Sequence, residues 1–153
     1  MRKLITVLIL SLAASSYGQN RGVEVPEVAK LRFAEEFPSA THQRWQKAYR
    51  GDEGDQERYE VVFTREGNKF LVSYSNDGYI RALEESLPIN KLPKAVKNYL
   101  KKSFKDYNIN EASIVSYEYK KETYQVEISN DETYSVLVFD KKGEFLNESQ
   151  VNK

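Results

Sequence analysis

Pro26-Glu27-Val28-Ala29-Lys30-Leu31-Arg32-Phe33-Ala34-Glu35-Glu36-Phe37 is the stretch whose reading decides the fold, because its landmarks return later in the chain. Pro26, Ala29, Phe33 and Phe37 recur as Pro93, Val96, Leu100 and Phe104, at a constant offset of 67. Downstream, Tyr59-Glu60-Val61-Val62-Phe63 recurs as Tyr124-Gln125-Val126-Glu127-Ile128. Tyr74-Ser75-Asn76-Asp77-Gly78 likewise recurs as Phe139-Asp140-Lys141-Lys142-Gly143, both at an offset of 65. What recurs is a pattern of apolar and turn residues, not a set of reactive groups. Internal repeats settle architecture before any single residue is interpreted.

Each copy opens with a helix. Ala29, Phe33 and Phe37 fall on one helical face at i, i+4, i+8, as do Val96, Leu100 and Phe104. Pro26 and Pro93 suit a first helical position, where the missing N–H has no intrahelical partner to lose. Pro38 disfavours the α conformation in Phe37, so the first helix should stop there. The second should fray around Asp106–Asn110.

The pattern then turns to period two. Tyr59, Val61 and Phe63 alternate with more polar neighbours, and so do Tyr124, Val126 and Ile128. Strands are expected at Phe70–Tyr74 and Tyr134–Phe139, and again at Tyr79–Leu83 and Glu144–Glu148. One more per copy precedes them, around His42–Tyr49 and Ser113–Tyr119. Asn76-Asp77-Gly78 and Lys141-Lys142-Gly143 mark tight turns, with Gly where φ is positive. The expected fold class is α+β: a tandem repeat of helix plus four-stranded antiparallel meander. A single copy would leave an open sheet edge. Two copies joined edge to edge give one sheet of about eight strands with both helices on one face.

The N-terminus reads as a secretory signal peptide over residues 1–18. Arg2 and Lys3 form a charged start, Leu4 to Ala14 an apolar run too short to span a bilayer, and Ser16-Tyr17-Gly18 a small-x-small cleavage site. The alternative is an N-terminal helix packed into the domain. Export to the periplasm or beyond is the expectation, with one repeat over 19–88 and the second over 89–153. Removing residues 1–18 from the 153 leaves 135, enough for a compact core, and shifts the net charge from +0 to about −2. That balance gives no electrostatic reason to expect nucleic acid. With no cysteine, disulfides, thiolate nucleophiles and zinc–sulfur sites are excluded together. His42, the only histidine, leaves no second imidazole ligand within one chain. No cofactor is expected.

Pro26-x-x-Ala29-x-x-x-Phe33-x-x-x-Phe37-Pro38-x-Ala40, then Trp45, Tyr59-Glu60-Val61-x-Phe63 and a turn ending at Gly78, resembles the PepSY-like, beta-lactamase-inhibitor-like proteins exported by Bacteroidetes. The resemblance runs through both repeats. The second departs from it with Lys105 where Pro38 stands and Tyr117 in the place of Trp45. It implies helix-plus-antiparallel-sheet repeats, an exported location, no established enzymatic activity, a sheet face that grips a partner protein, and in some members a calcium-linked role.

The sheet face turned away from the helices is the leading candidate for a binding surface. If Tyr59, Val61 and Phe63 face the helices, Glu60 and Val62 face away, with Leu71 on the next strand. By the same parity Glu127, Tyr134 and Val136 face away in the second copy, and Tyr79 is expected to join them. Tyr, Val and carboxylates together are a common surface for protein recognition. The expected partner is a protein or peptide of the cell envelope, and the bland alternative is an ordinary solvated sheet. Asp52, Asp55 and Glu57 lie in the Gly-flanked loop beginning Gly51-Asp-Glu-Gly54-Asp, a weak candidate for Ca²⁺ because the spacing is not that of an EF-hand. Lys94, Lys97, Lys101 and Lys105 form a basic stripe suited to an anionic surface, or simply the solvated side of an amphipathic helix. A calcium- or envelope-responsive accessory protein is therefore the alternative function. Trp45 reads as a packing residue. His42 has no motif placing a serine or carboxylate beside it, so a non-catalytic chain is expected.

Overall fold

The computed structural model describes residues 22–50, 56–117 and 121–152. The expected signal peptide, and with it Asp52 and Asp55 of the acidic loop, lies outside the described residues. Helix α1 (Glu27–Glu36) is followed by β1 (Thr41–Arg50), β2 (Gln56–Arg65), β3 (Asn68–Tyr74) and β4 (Ile80–Ser86). A 3₁₀ turn at Ile89–Lys91 leads into α2 (Lys94–Ser103), then β5 (Asn108–Tyr117), β6 (Lys121–Ser129), β7 (Thr133–Asp140) and β8 (Phe145–Asn152). The eight strands form one sheet in sequence order, β1 to β8, and the fold is α+β. The described residues divide into two compact units between Leu83 and Glu84, inside β4.

In the first unit the alternation behaves as expected. Tyr59, Val61 and Phe63 of β2 stand opposite Tyr74, Val72 and Phe70 of β3. All six join Ala29, Phe33 and Phe37 in one buried cluster. Phe33 is the hub, with ring centroids 5.5 Å from Phe37 and Trp45 and 5.0 Å from Phe63. Burying a side chain of that size stabilises by roughly 1.5–3 kcal/mol before any ring geometry is counted. Pro26 is not the first helical residue but the cap before it (φ −53°, ψ 134°), its carbonyl accepting from the Ala29 and Lys30 amides. Phe37 ends the helix, as Pro38 dictates.

The second unit is built to the same plan. Tyr124, Val126 and Ile128 of β6 stand opposite Phe139, Leu137 and Ser135 of β7. Val126, Ile128, Leu137 and Phe139 cluster with Val96 and Leu100 of α2. Pro93 caps α2 as Pro26 caps α1. The helix ends at Ser103, before the expected fraying at Asp106–Asn110, although Lys105 replaces the proline. The stop comes from backbone bonding: the Phe104 amide donates to Leu100 and the Tyr107 amide to Phe104, as Phe37 does to Phe33 and Ala40 to Phe37 in α1.

The first strand after each helix carries a bulge that the alternation did not announce. The register of β1 on β2 shifts between Thr41 and Arg44, and that of β5 on β6 between Ile109 and Glu111. β5 also begins at Asn108, five residues ahead of the expected Ser113. The pairing corrects a correspondence. Trp45 lies opposite Val61, and the residue opposite the matching Val126 is Ala112. Ala112, not Tyr117, stands in the place of Trp45. Tyr117 lies five residues further along β5, where its hydroxyl accepts the Gln125 amide at 3.0 Å.

Candidate binding face

Residues of opposite parity to the core clusters form the face turned away from each helix. In the first unit Glu60 pairs with Ser73 and Val62 with Leu71. Glu60, Ser73 and Leu71 are buried and Val62 is half-buried. The Gln46 amide, next across on β1, donates to Glu60 Oε2 at 2.8 Å. Buried side chains of this kind need such bonds, because an unpaired polar group out of water is costly.

In the second unit Glu127 stands between Glu111 of β5 and Val136 of β7, and Tyr134 follows on the same face two residues from Val136. Glu127 is 7% exposed and Val136 1%, deeper than an ordinary solvated sheet face would place them. Glu111 and Tyr134 are half-buried and reach solvent. The Tyr134 hydroxyl is buried beside the Glu127 carboxylate. Burial, then its hydrogen bond to the Glu127 carboxylate and the negative charges of Glu127, Glu111 and Glu84, hold it protonated well beyond the ordinary phenol range. The arrangement is a neutral phenolic donor among three carboxylates, two of them deep in the sheet.

Tyr79 does not belong to this face. It lies in the turn after β3, 53% exposed, with the Arg32 guanidinium of α1 at 4.9 Å from its ring centroid. Arg32 sits on the helix that packs against the other side, so the ring is drawn there by cation–π attraction. Strand parity does not extend into a turn.

Glu57, the described member of the acidic loop's candidate set, is already engaged. Lys47 Nζ lies 2.7 Å from its carboxylate, and the Tyr59 hydroxyl donates to it. The Lys47 bond, then that of Tyr59, lowers its pKa below the ordinary carboxylate value. A folded-state pKa below the unfolded one adds stability that is present above the unfolded value and is lost as pH falls through the folded one. In a carbon-detected NMR titration Glu57 should therefore protonate at lower pH than a free glutamate, and Lys47→Gln should raise its midpoint. A midpoint unmoved by that substitution would remove Lys47 as the cause. Among the described residues no group of three or more acidic or histidine side chains is gathered to hold a metal ion. His42 is at the β1 bulge, exposed, with φ +54° and Nδ1 at 3.2 Å from Thr41 Oγ1.

The lysine stripe has a neighbour that the helical pattern did not reveal. Lys97, Lys101 and Lys105 border a groove of about 660 Å³ in the second unit, floored by Leu100, Phe104, Ile109 and Ile128. Lys94 lies outside that lining. The Lys97 ammonium donates to the Asn90 carbonyl at 3.2 Å.

Among the described residues no helix is long and apolar enough to cross a membrane. No curated protein matches the chain. Solved structures from Bacteroides share the fold at low identity. One from Bacteroides eggerthii is 16% identical, with 83% of this chain and 89% of that one covered at a TM-score of 0.72. A DUF2874 family protein from Bacteroides uniformis is 18% identical, with 83% and 90% covered at 0.70. A BLIP-like protein from Bacteroides fragilis is 19% identical, with 88% and 92% covered at 0.68. The family model described as beta-lactamase-inhibitor-like and PepSY-like matches residues 57–147, most of β2 through β8. With the helix-and-meander plan present in both units, the chain belongs to the PepSY-like, beta-lactamase-inhibitor-like family.

Proposed function

We propose that this protein is a non-catalytic, exported binding module whose sheet face, on the side away from the helices, holds a protein or peptide partner through a basic side chain. The observation that carries the reading is the second unit's set of Glu84, Glu111 and Glu127 around the buried Tyr134 hydroxyl. Three negative charges on one face favour a partner of opposite sign, and Glu111 and Tyr134 reach solvent where such a group would arrive. A lysine or arginine presented from a peptide supplies it. Family membership supports a protein partner, since one structural relative is described as BLIP-like. An exported location is supported by the charged start and apolar run of residues 2–14 and by the Bacteroides eggerthii relative, described as a candidate periplasmic protein.

Capture of partners from an envelope extract by the immobilised protein tests this. Tyr134→Phe should lower folding stability by no more than about 1 kcal/mol, the worth of its hydrogen bond to Glu127. It should weaken capture about fivefold, the worth of one hydrogen bond. Glu111→Lys, at a half-buried position, should weaken capture further by placing a like charge against the incoming cation. Equal capture by both variants would refute the face as the site.

A further inference from the structure

We propose that the groove beside α2 is a second binding site, for a single-chain anionic amphiphile: an acyl chain bearing one carboxylate. Its tail would lie on Leu100, Phe104, Ile109 and Ile128, and its head among Lys97, Lys101 and Lys105. Ile128 has the opposite strand parity to Glu127, so this site lies on the other side of β6 from the proposed partner-binding face.

The argument comes from the equivalent place in the first unit. There Lys30, Phe33, Ala34, Phe37 and Pro38 line a smaller hollow of about 250 Å³. At the offset of 67 these positions are Lys97, Leu100, Lys101, Phe104 and Lys105, all five of which line the larger groove. In the first unit Trp45 fills the space, its ring edge-on to Phe33. Its register counterpart in the second unit is Ala112. Beyond it, the stacked pair Phe63 and Phe70 is replaced by Ile128 and Ser135. Bulk has been taken from one wall after another, and the space has not closed up. Its size falls within the range of small-molecule sites.

Two changes on the rim point to the sign of the occupant. Ala34 and Pro38 become Lys101 and Lys105, and no carboxylate lines the groove. Lys97 and Lys101 lie four apart on α2, where like charges on a helix surface repel, and Lys105 follows just beyond its cap. The helix dipole favours Lys101 near the C-terminus, but it gives no reason for Lys105 beyond the cap or for the apolar floor between the two. An anionic head relieves the repulsion, and a hydrocarbon tail covers the floor. An aromatic plug was exchanged for a cationic rim, and one ligand explains both.

Calorimetric titration with octanoate, decanoate and dodecanoate, below their micelle concentrations and at low salt, tests the proposal. Affinity should rise about fourfold per added methylene, the increment for removing one CH₂ from water. Decanol, with the same tail and no charge, should bind more weakly than decanoate. Lys101→Gln with Lys105→Gln, both exposed, should weaken decanoate about tenfold at unchanged fold. Ala112→Trp, which restores the first unit's plug, should abolish binding; if that variant does not fold, the lysine pair decides. Sedimentation with phosphatidylglycerol vesicles separates a free chain from a membrane surface. Vesicle binding without decanoate binding would overturn the proposal, as would decanoate affinity indifferent to the two lysines or to the charge of the head.

Discussion

Phe33→Ala is expected to cost about 4 kcal/mol of stability, within the range for deleting a buried aromatic ring. Phe33 is 3% exposed and its ring meets those of Phe37, Trp45 and Phe63. The contacts with Trp45 and Phe63 are edge-on, a favoured geometry that adds roughly 0.5–1.5 kcal/mol per pair beyond burial. The neighbours cannot collapse into the gap. Phe63 is pinned by its stack on Phe70 at 5.3 Å, and Trp45 is held at its strand position opposite Val61. Denaturant titration followed by circular dichroism measures the loss. Trp45, the only tryptophan, reports the same event by a red shift of its emission as water reaches the indole.

The corresponding change in the second unit, Leu100→Ala, should cost less, about 2–3 kcal/mol. Leu100 is equally buried but is the smaller side chain and borders the larger hollow, about 660 Å³ against about 250 Å³ beside Phe33, so its removal forfeits fewer contacts. Phe33→Leu, which copies the second unit's residue, should cost about 1 kcal/mol. A Phe33→Ala loss no greater than that of Leu100→Ala would mean that the aromatic cluster is not the firmer of the two cores.

That contrast also locates what could be read from the residues alone. The face each strand residue takes was legible, because a period of two leaves only two answers and Tyr59, Val61 and Phe63 choose between them. The turn glycines were legible too, since Gly78 and Gly143 take φ of +78° and +85°. Register on the first strand after each helix was not. One extra residue in β1 and one in β5 shift every later pairing, and neither His42 nor Asn110 carries a signature of a bulge. The misplaced counterpart of Trp45 has another origin: an aromatic residue was sought, and Tyr117 offered one, whereas the offset of 67 leads to Ala112. Tyr79 was assigned by extending strand parity into a turn, where a guanidinium four residues before the end of α1 decided instead. Of the candidate binding residues, Glu60, Val62, Leu71, Glu127, Tyr134 and Val136 keep the parity expected of them. Their depth could not be foreseen, because burial belongs to neighbouring strands rather than to the residue.

Gly143→Ala should destabilise by about 3 kcal/mol, and the separate causes can be resolved by comparison with Gly67→Ala. At φ +85° any side chain meets its own backbone, a cost of roughly 1–2 kcal/mol. Gly67, at φ +82°, carries that cost alone, for a Cβ there would find nothing within 4 Å. At Gly143 a Cβ would lie 2.9 Å from the Ala95 Cβ and 3.3 Å from the Val96 backbone nitrogen. Neither can swing aside, since both are fixed to the first turns of α2, and such overpacking adds roughly 1–3 kcal/mol. The turn cannot retreat either. Asp140 Oδ1 accepts from the Lys142 and Glu144 amides at 2.8 and 2.9 Å, and the Gly143 amide donates to the Asp140 carbonyl at 2.9 Å. Gly67→Ala should therefore cost about 1–2 kcal/mol and Gly143→Ala clearly more. Gly78→Ala should fall between them, because its clash is chiefly with the methyls of Val28, an exposed side chain with some freedom to turn. Equal losses at Gly67 and Gly143 would show that the turn does not press on the helix, and that the glycine there answers only to its own backbone.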